Sequence, residues 1–307
     1  MRLKFYLYTI AISCIILSCE DDKKNEKLQK NPKKKIQLTA KDILGNPNYL
    51  AISYGGYRKS TRGIQPTVAE IKEDMKILHA MKIKILRTYN VQLAQAETIL
   101  KAIHELKSEN PSFEMYVMLG AWIDCKNAWT NHPVNHQIES DQNESEIARA
   151  VSLANKYPSI VKIIAVGNEA MVKWATNYYV QPSVILKWVS YLQDLKKQKK
   201  LPKNLWITSS DNFASWGGGS DEYHTEDLNK LIEEVDYISM HTYPMHDTHY
   251  NPVFWYTKEE KPNIEKVNNI MLRARDYAAS QYDSVANYVK SLGIKKPIHI
   301  GETGWAS

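Results

Sequence analysis

The chain has 307 residues, is 43% hydrophobic and carries a formal net charge of +6; that length suits one α/β barrel, and that apolar content supports a large core, excluding a mostly disordered chain. Nine Lys or Arg against four Asp or Glu fall within residues 1–40, so the basicity belongs to an N-terminal tail. The remainder is nearly neutral, which gives nucleic-acid binding by a basic face little support, and no nucleic-acid partner is expected.

Arg2 and Lys4 precede the apolar run Phe5–Ser18. This is the basic region and short apolar region of a secretory signal, too short for a comfortable membrane span. The run ends Ile16-Leu17-Ser18-Cys19 and is followed by Glu20-Asp21-Asp22. It resembles a bacterial lipoprotein signal, which implies cleavage before Cys19 and a lipid on its sulfur. The acidic triplet is similar to the surface-export signals of some Gram-negative lipoproteins. The expectation is a lipid-anchored protein of the bacterial cell envelope, at the outer membrane or cell surface. An ordinary signal peptide with an incidental cysteine is the alternative. Residues 1–18 are then the signal and 19–37 a flexible tether, lysine-rich from Lys23 to Lys35 and without apolar periodicity. Residues 38–307 form the folded domain. Its one cysteine, Cys125, cannot make an internal disulfide, so the fold must stand on its core.

From Asn48 on, strand-type runs alternate with amphipathic helix-type runs. After a short helix-like or irregular stretch at Leu38–Leu44, strands are predicted at Leu50–Tyr54, Ile83–Tyr89, Phe113–Leu119, Ile160–Val166, Leu205–Ser209, Val235–His241 and Pro297–Ile300. Helices are predicted at Thr67–Met81, Leu93–Leu106, Glu144–Tyr157, Pro182–Lys199, Thr225–Glu234 and Ile270–Leu292. Thr67 with Glu70 three residues on is a capping-box signal. A long polar loop fills the gap from Gly120 to about Asn143. Apolar strands without strict alternation indicate a parallel sheet buried on both faces. A doubly wound sheet should show a glycine-rich phosphate turn after its first strand, and Gly55-Gly56 does not continue into one. The predicted fold is therefore an α/β protein of (β/α)8 TIM-barrel type, whose active site lies on the loops at the strand C-termini.

Two of those strand ends deliver glutamates: Val166-Gly167-Asn168-Glu169 and Gly301-Glu302-Thr303-Gly304-Trp305. Two carboxylates facing each other across a cleft can cleave an acetal, one protonating the leaving oxygen while the other attacks the anomeric carbon. The fourth and seventh strands of a barrel do face each other across its mouth. These two motifs resemble the acid/base and nucleophile motifs of glycoside hydrolase family 17, the β-1,3-glucanases and related transglucosylases. The resemblance extends to Ser53-Tyr54-Gly55-Gly56-Tyr57-Arg58, Leu86-Arg87-Thr88-Tyr89 and His241-Thr242-Tyr243-Pro244, in the family's order over roughly residues 48–307.

The resemblance implies Glu169 as general acid/base and Glu302 as nucleophile of a retaining endo-β-1,3-glucan hydrolase acting on laminarin-like glucans. It implies that Asn168 binds the sugar 2-hydroxyl. Arg87 would lie near Glu302 and keep it ionised, and Tyr243 would orient it. A buried charge closing the rim is the plainer reading of Arg87, and a turn aromatic before Pro244 that of Tyr243. Eight Trp and nineteen Tyr against four Phe is a balance suited to partly wet, sugar-stacking surfaces. Trp305 and Tyr57 are the preferred platforms, with Tyr89, Trp122 and Trp216 as further candidates. Trp206 reads as core, and Trp129 and Trp174 have no assigned place. His241, His246, His249 and His224 fit no metal spacing and read as a solvated loop, and His299 as a core histidine. No metal or cofactor is expected, and the chain is expected to be a monomer whose partners are a β-1,3-glucan and, through its lipid, a membrane. The family usually has proline after the Glu-x-Gly-Trp tryptophan, where this chain has Ala306. The sequence ends at Ser307, before an eighth strand and helix, so the barrel is expected to be incomplete. Either the chain is a fragment, or the barrel is open beside its seventh strand and of poor stability. A transglucosylase and a non-catalytic surface glucan-binding lipoprotein remain as alternatives.

Overall fold

The structure is a computed structural model that describes residues 38–247 and 262–304. In chain order the elements are α1 (Ala40–Ile43), β1 (Leu50–Ser53), α2 (Val68–Ala80), β2 (Ile83–Arg87), α3 (Gln95–Glu109), β3 (Tyr116–Ala121), β4 (Cys125–Lys126), β5 (Asn135–Glu139) and α4 (Asn143–Lys156). Then come β6 (Val161–Asn168), α5 (Pro182–Lys197), β7 (Trp206–Asn212), α6 (Glu226–Glu234), β8 (Ile238–His241), α7 (Pro244–Asp247), α8 (Asn263–Ser291) and β9 (Ile298–Glu302).

Local chemistry explains these boundaries. Thr67 caps α2 reciprocally: its hydroxyl accepts from the Glu70 N–H at 3.3 Å, and the Glu70 carboxylate accepts from the Thr67 N–H at 2.8 Å. α3 buries Ile99, Leu100, Ile103 and Leu106, the stripe that a 3.6-residue period lays on one face. α5 starts at Pro182, whose missing N–H would have had no intrahelical partner there. Every residue of β3 is buried, as are the first seven of β6, so both faces of the sheet are covered.

Seven strands form one parallel sheet in the order β1-β2-β3-β6-β7-β8-β9. The sheet curls until Arg87 of β2 meets Glu302 of β9, although 215 residues separate them. The architecture is an incomplete (β/α) barrel, as predicted. β1 and β9 are its edges; among the described residues each pairs with one strand, and Leu50, Ile52 and Ile300 on them are exposed. Gly301 permits β9 to close on β8, since a Cβ there would lie 2.0 Å from Ser239 Oγ. Among the described residues no helix is long and apolar enough to cross a membrane.

Three expectations need correction. The polar loop after Gly120 contains the antiparallel hairpin β4–β5. Its pattern was illegible because β5 is half exposed and carries mostly polar side chains. β7 and β9 each run further than predicted, through Ser210-Asp211-Asn212 and through Gly301-Glu302, because the barrel interior near its mouth accepts polar side chains. Trp216 is no sugar platform. It is fully buried, and its indole N–H donates to the Ser239 carbonyl at 3.1 Å. The glycines after it serve packing: a Cβ on Gly217 would lie 2.1 Å from the Tyr288 ring.

Candidate active site

Glu169 follows β6 directly. The turn that presents it passes through Gly167 at φ 81° and Glu169 itself at φ 46°. A left-handed conformation costs a non-glycine residue about 1–3 kcal/mol and persists only where the surroundings enforce it. Here the Glu169 N–H donates to the Ser210 carbonyl at 2.9 Å. The Met171 N–H donates to the buried Asp211 carboxylate at 2.8 Å, and the Val180 N–H donates to the Ala170 carbonyl at 2.7 Å.

Glu302 closes β9 and is gripped from several elements. Arg87 Nη1 donates to its Oε2 at 2.6 Å, the Tyr243 hydroxyl to its Oε1 at 2.6 Å, and the Tyr89 hydroxyl to the same Oε1 at 3.4 Å. The Arg87 side chain is nearly buried and lies over the Tyr89 ring at 4.9 Å. Its other terminal nitrogen donates to Asn168 Oδ1. One guanidinium thus joins the strand-end glutamate of β9 to the residue that precedes Glu169.

His241, the last residue of β8, sits between the two carboxylates. Its Nδ1 is 3.1 Å from Glu169 Oε1 and 3.5 Å from Glu302 Oε2. Those two oxygens can be no further apart than the sum of these distances. The ring is fully buried, and burial, reinforced by the Arg87 charge and opposed by Glu302, pushes its pKa down to about 3. The imidazole is therefore neutral, with one N–H and one acceptor nitrogen. Nδ1–H faces the carboxylates, and Nε2 pairs with the Ser210 hydroxyl at 2.7 Å, which in turn meets Ser239 at 2.9 Å. Reading His241 as part of a solvated loop was wrong. The signal that could have found it is spacing: His241 and Tyr243 are two residues apart, so an extended chain turns them to one side.

The carboxyl of Glu169 is raised by burial, against the opposing charges of Arg87 and His246. Fully buried Asp211 is pushed up to about 7, first by burial and then by the Glu169 charge, despite the Met171 and Asn212 N–H groups that favour its ionised form. Tyr243 and Tyr89 are raised by burial and by Glu302, and so remain hydrogen-bond donors.

The fold therefore brings together Glu169, Glu302, Asn168, Arg87, Tyr243 and Tyr89 of the residues singled out from sequence. A cavity of about 370 Å³ opens beside Glu302 between β1 and β9, with Ser53, Arg87, Tyr89 and Tyr243 in its wall. Tyr57 stands apart: it is half-buried on the loop after β1, folded back over Gly55, and the described contacts join it to neither glutamate. Trp305 and Cys19 lie outside the described residues. His299 is half-buried, edge-on to the Tyr237 ring at 5.5 Å. Among the described residues no group of three or more His, Cys, Asp or Glu is placed to hold a metal ion.

Known proteins resemble this chain to different degrees. The endo-laminarinase from Formosa Hel1_33_131 is 68% identical over 88% of this chain and 70% of its own, with a TM-score of 0.86. CJP38, a β-1,3-glucanase and allergen of Cryptomeria japonica pollen, is 16% identical over 84% of this chain and 76% of its own; its TM-score of 0.53 marks a likeness of fold alone. No match was found among curated proteins. The BtgE/BtgC glycoside hydrolase domain matches residues 51–307, nearly the whole of the described structure, and the chain belongs to that family of glycoside hydrolases.

Proposed function

We propose that this protein is an endo-β-1,3-glucan hydrolase that cuts laminarin-like glucans with retention of anomeric configuration, using Glu302 as nucleophile and Glu169 as acid/base. The observation that carries the reading is the placing of both carboxylates on one buried imidazole nitrogen, at 3.1 and 3.5 Å. Retaining glycosidases hold their carboxyls roughly 5–5.5 Å apart, whereas inverting ones need about 6.5–9.5 Å to seat a water. Once the angle at the imidazole nitrogen departs from linear by more than about 20°, their separation falls below the inverting range. The high identity to an endo-laminarinase supports the choice of substrate.

In this mechanism the Glu302 carboxylate attacks the anomeric carbon and forms a carbon–oxygen bond as the glycosidic bond breaks. Glu169 gives its proton to the departing oxygen. Then Glu169, now a carboxylate, takes a proton from water, whose oxygen attacks the same carbon and releases Glu302. Arg87, Tyr243 and Tyr89 hold the nucleophile in place. Because Arg87 occupies Asn168 Oδ1, the Asn168 amide N–H groups are left to donate to the sugar 2-hydroxyl, a bond that strengthens towards the oxocarbenium-like state.

The test is digestion of laminarin followed by proton NMR at early times. The reading expects internal cleavage to oligosaccharides with the β-anomer appearing first. The α-anomer first, or no cleavage, overturns it. We further propose that the chain is anchored in the cell envelope by a lipid on Cys19, on the strength of the Leu17-Ser18-Cys19 signal. Lipid labelling that survives in Cys19→Ala would refute that.

A further inference from the structure

The hairpin β4–β5 and the segment after Glu169 build an aromatic surface that the mechanism above does not use. Trp122 follows β3, Trp129 lies at the turn between β4 and β5, and Tyr178 lies on the segment that returns from Glu169 to pair with Ala170. The three rings form one cluster. Trp129 stacks on Tyr178 with centroids 5.1 Å apart and planes 22° apart, and Trp122 lies 5.3 Å from Tyr178 and 6.5 Å from Trp129.

This cluster is built rigidly. The Trp122 indole N–H donates to Asp124 at 3.2 Å, and the Trp129 indole acts on the same carboxylate. The Cys125 N–H donates to the Tyr178 carbonyl at 3.1 Å. His136 of β5 stacks on Tyr179 at 3.7 Å and bonds its carbonyl through Nδ1 at 2.8 Å, and Glu139 accepts from the Trp188 indole of α5 at 2.6 Å. The hairpin is thereby fastened to the segment that carries Glu169. Yet Trp129 is 61% exposed and sits at φ 61°, a strained position for a bulky residue. A ring that exposed gains little from burial, so core packing does not account for its being held there. The segment that carries Tyr178 is bonded back to Ala170, the neighbour of Glu169, through the Val180 N–H at 2.7 Å. The cluster therefore borders the turn that presents Glu169.

We propose that Trp122, Tyr178 and Trp129 form a distal sugar-binding subsite at the Glu169 end of the cleft, which stacks a ring of the β-glucan chain away from the scissile bond. Trp129 supplies the exposed platform, and Asp124 is a positioning residue that sets the two indoles. Pyranose rings present flat C–H faces that pack against Trp and Tyr, whose polar edges remain hydrated. The occupant is a glucan chain because the cluster borders the turn that presents the proposed acid/base; in this the inference rests on the function proposed above.

The experiment compares wild type, Trp129→Ala and Trp129→Tyr on polymeric laminarin and on laminaritriose, and measures retention of each in native gels containing laminarin. Truncating a stacking residue of this kind costs about tenfold. Trp129→Ala is expected to lose about tenfold more kcat/KM on laminarin than on the trisaccharide, through KM, and to run unretarded in the gel; Trp129→Tyr should recover most of both. Equal losses on the two substrates, or an unchanged variant, overturn the subsite while leaving the hydrolase reading intact. If wild type is retarded by laminarin without cleaving it and Trp129→Ala is not, the subsite stands and the hydrolase reading falls. If wild type neither cleaves nor binds laminarin, both fall.

Discussion

Glu169 and Glu302 are the same residue type, at the ends of parallel strands, with side chains 19% and 17% exposed. Their surroundings differ. Glu302 is met by a guanidinium and two phenols. Glu169 pairs with the neutral His241 and sits on a left-handed turn, and burial raises its carboxyl. Similar exposure with different partners teaches that charge compensation is what would divide the proposed roles. The compensated carboxylate suits attack, and the less compensated one suits holding a proton.

The largest expected effect breaks the comparison chemically. Glu302→Gln should lower kcat on the order of 10⁴-fold or more, on laminarin and on an aryl β-laminarioligoside alike, because no substrate avoids the nucleophile. Glu169→Gln should cost about 10²–10⁴-fold on laminarin but far less on an aryl glycoside with an acidic leaving phenol, which needs little protonation. Parallel losses on both substrates for Glu169→Gln would reverse or void the assignment.

Next in size is Arg87, which holds the Glu302 flank together. Arg87→Met leaves the partly buried Glu302 carboxylate without its cation, held only by the two phenols, and should destabilise the chain by about 3–5 kcal/mol in urea unfolding. The double variant with Glu302→Gln should be less destabilised than the two losses added together. A cost below about 1 kcal/mol would mean that the pair is not held as described.

The smallest effect concerns pH. Asp211 keeps its proton to about 7 in the folded chain, against 3.8 as the ordinary value. The folded state then holds more protons than the unfolded one between those values, so stability falls as pH rises through that window. His241 acts in the opposite sense. It stays neutral in the fold down to about 3 against an ordinary 6.5, so stability is lost as pH falls through that range. Asp211→Asn should remove the first effect and keep the second. The melting temperature of the variant should fall less than that of wild type between about pH 5 and about pH 8. An unchanged difference would show that Asp211 is ionised in the fold.

Much of this molecule was legible in its sequence. Capping at Thr67, the apolar stripe of α3 and the order of strands and helices depend on residues a few positions apart. So does the arrival of Glu169 and Glu302 at strand ends. The resemblance added Arg87, Asn168 and Tyr243, which the fold does gather around those glutamates. The failures share a cause. Trp216 looked like a loop aromatic beside three glycines, yet Gly217 makes room for Tyr288 and Gly218 for Ser284 and Val285, neighbours distant in sequence. His241 looked solvated because a single histidine after apolar residues carries no mark of burial.

The sequence by itself determined the strands of the barrel sheet and the helices between them, their order and the two strand-end carboxylates, since hydrogen-bond periodicity and capping are local. Only the tertiary structure decided which charge answers which. Arg87 meets Glu302 across 215 residues because the sheet curls, and His241 becomes the neutral link between the two glutamates because that same curling removes it from water. Desolvation and Coulomb forces act through space, so the protonation states of this site follow from the fold.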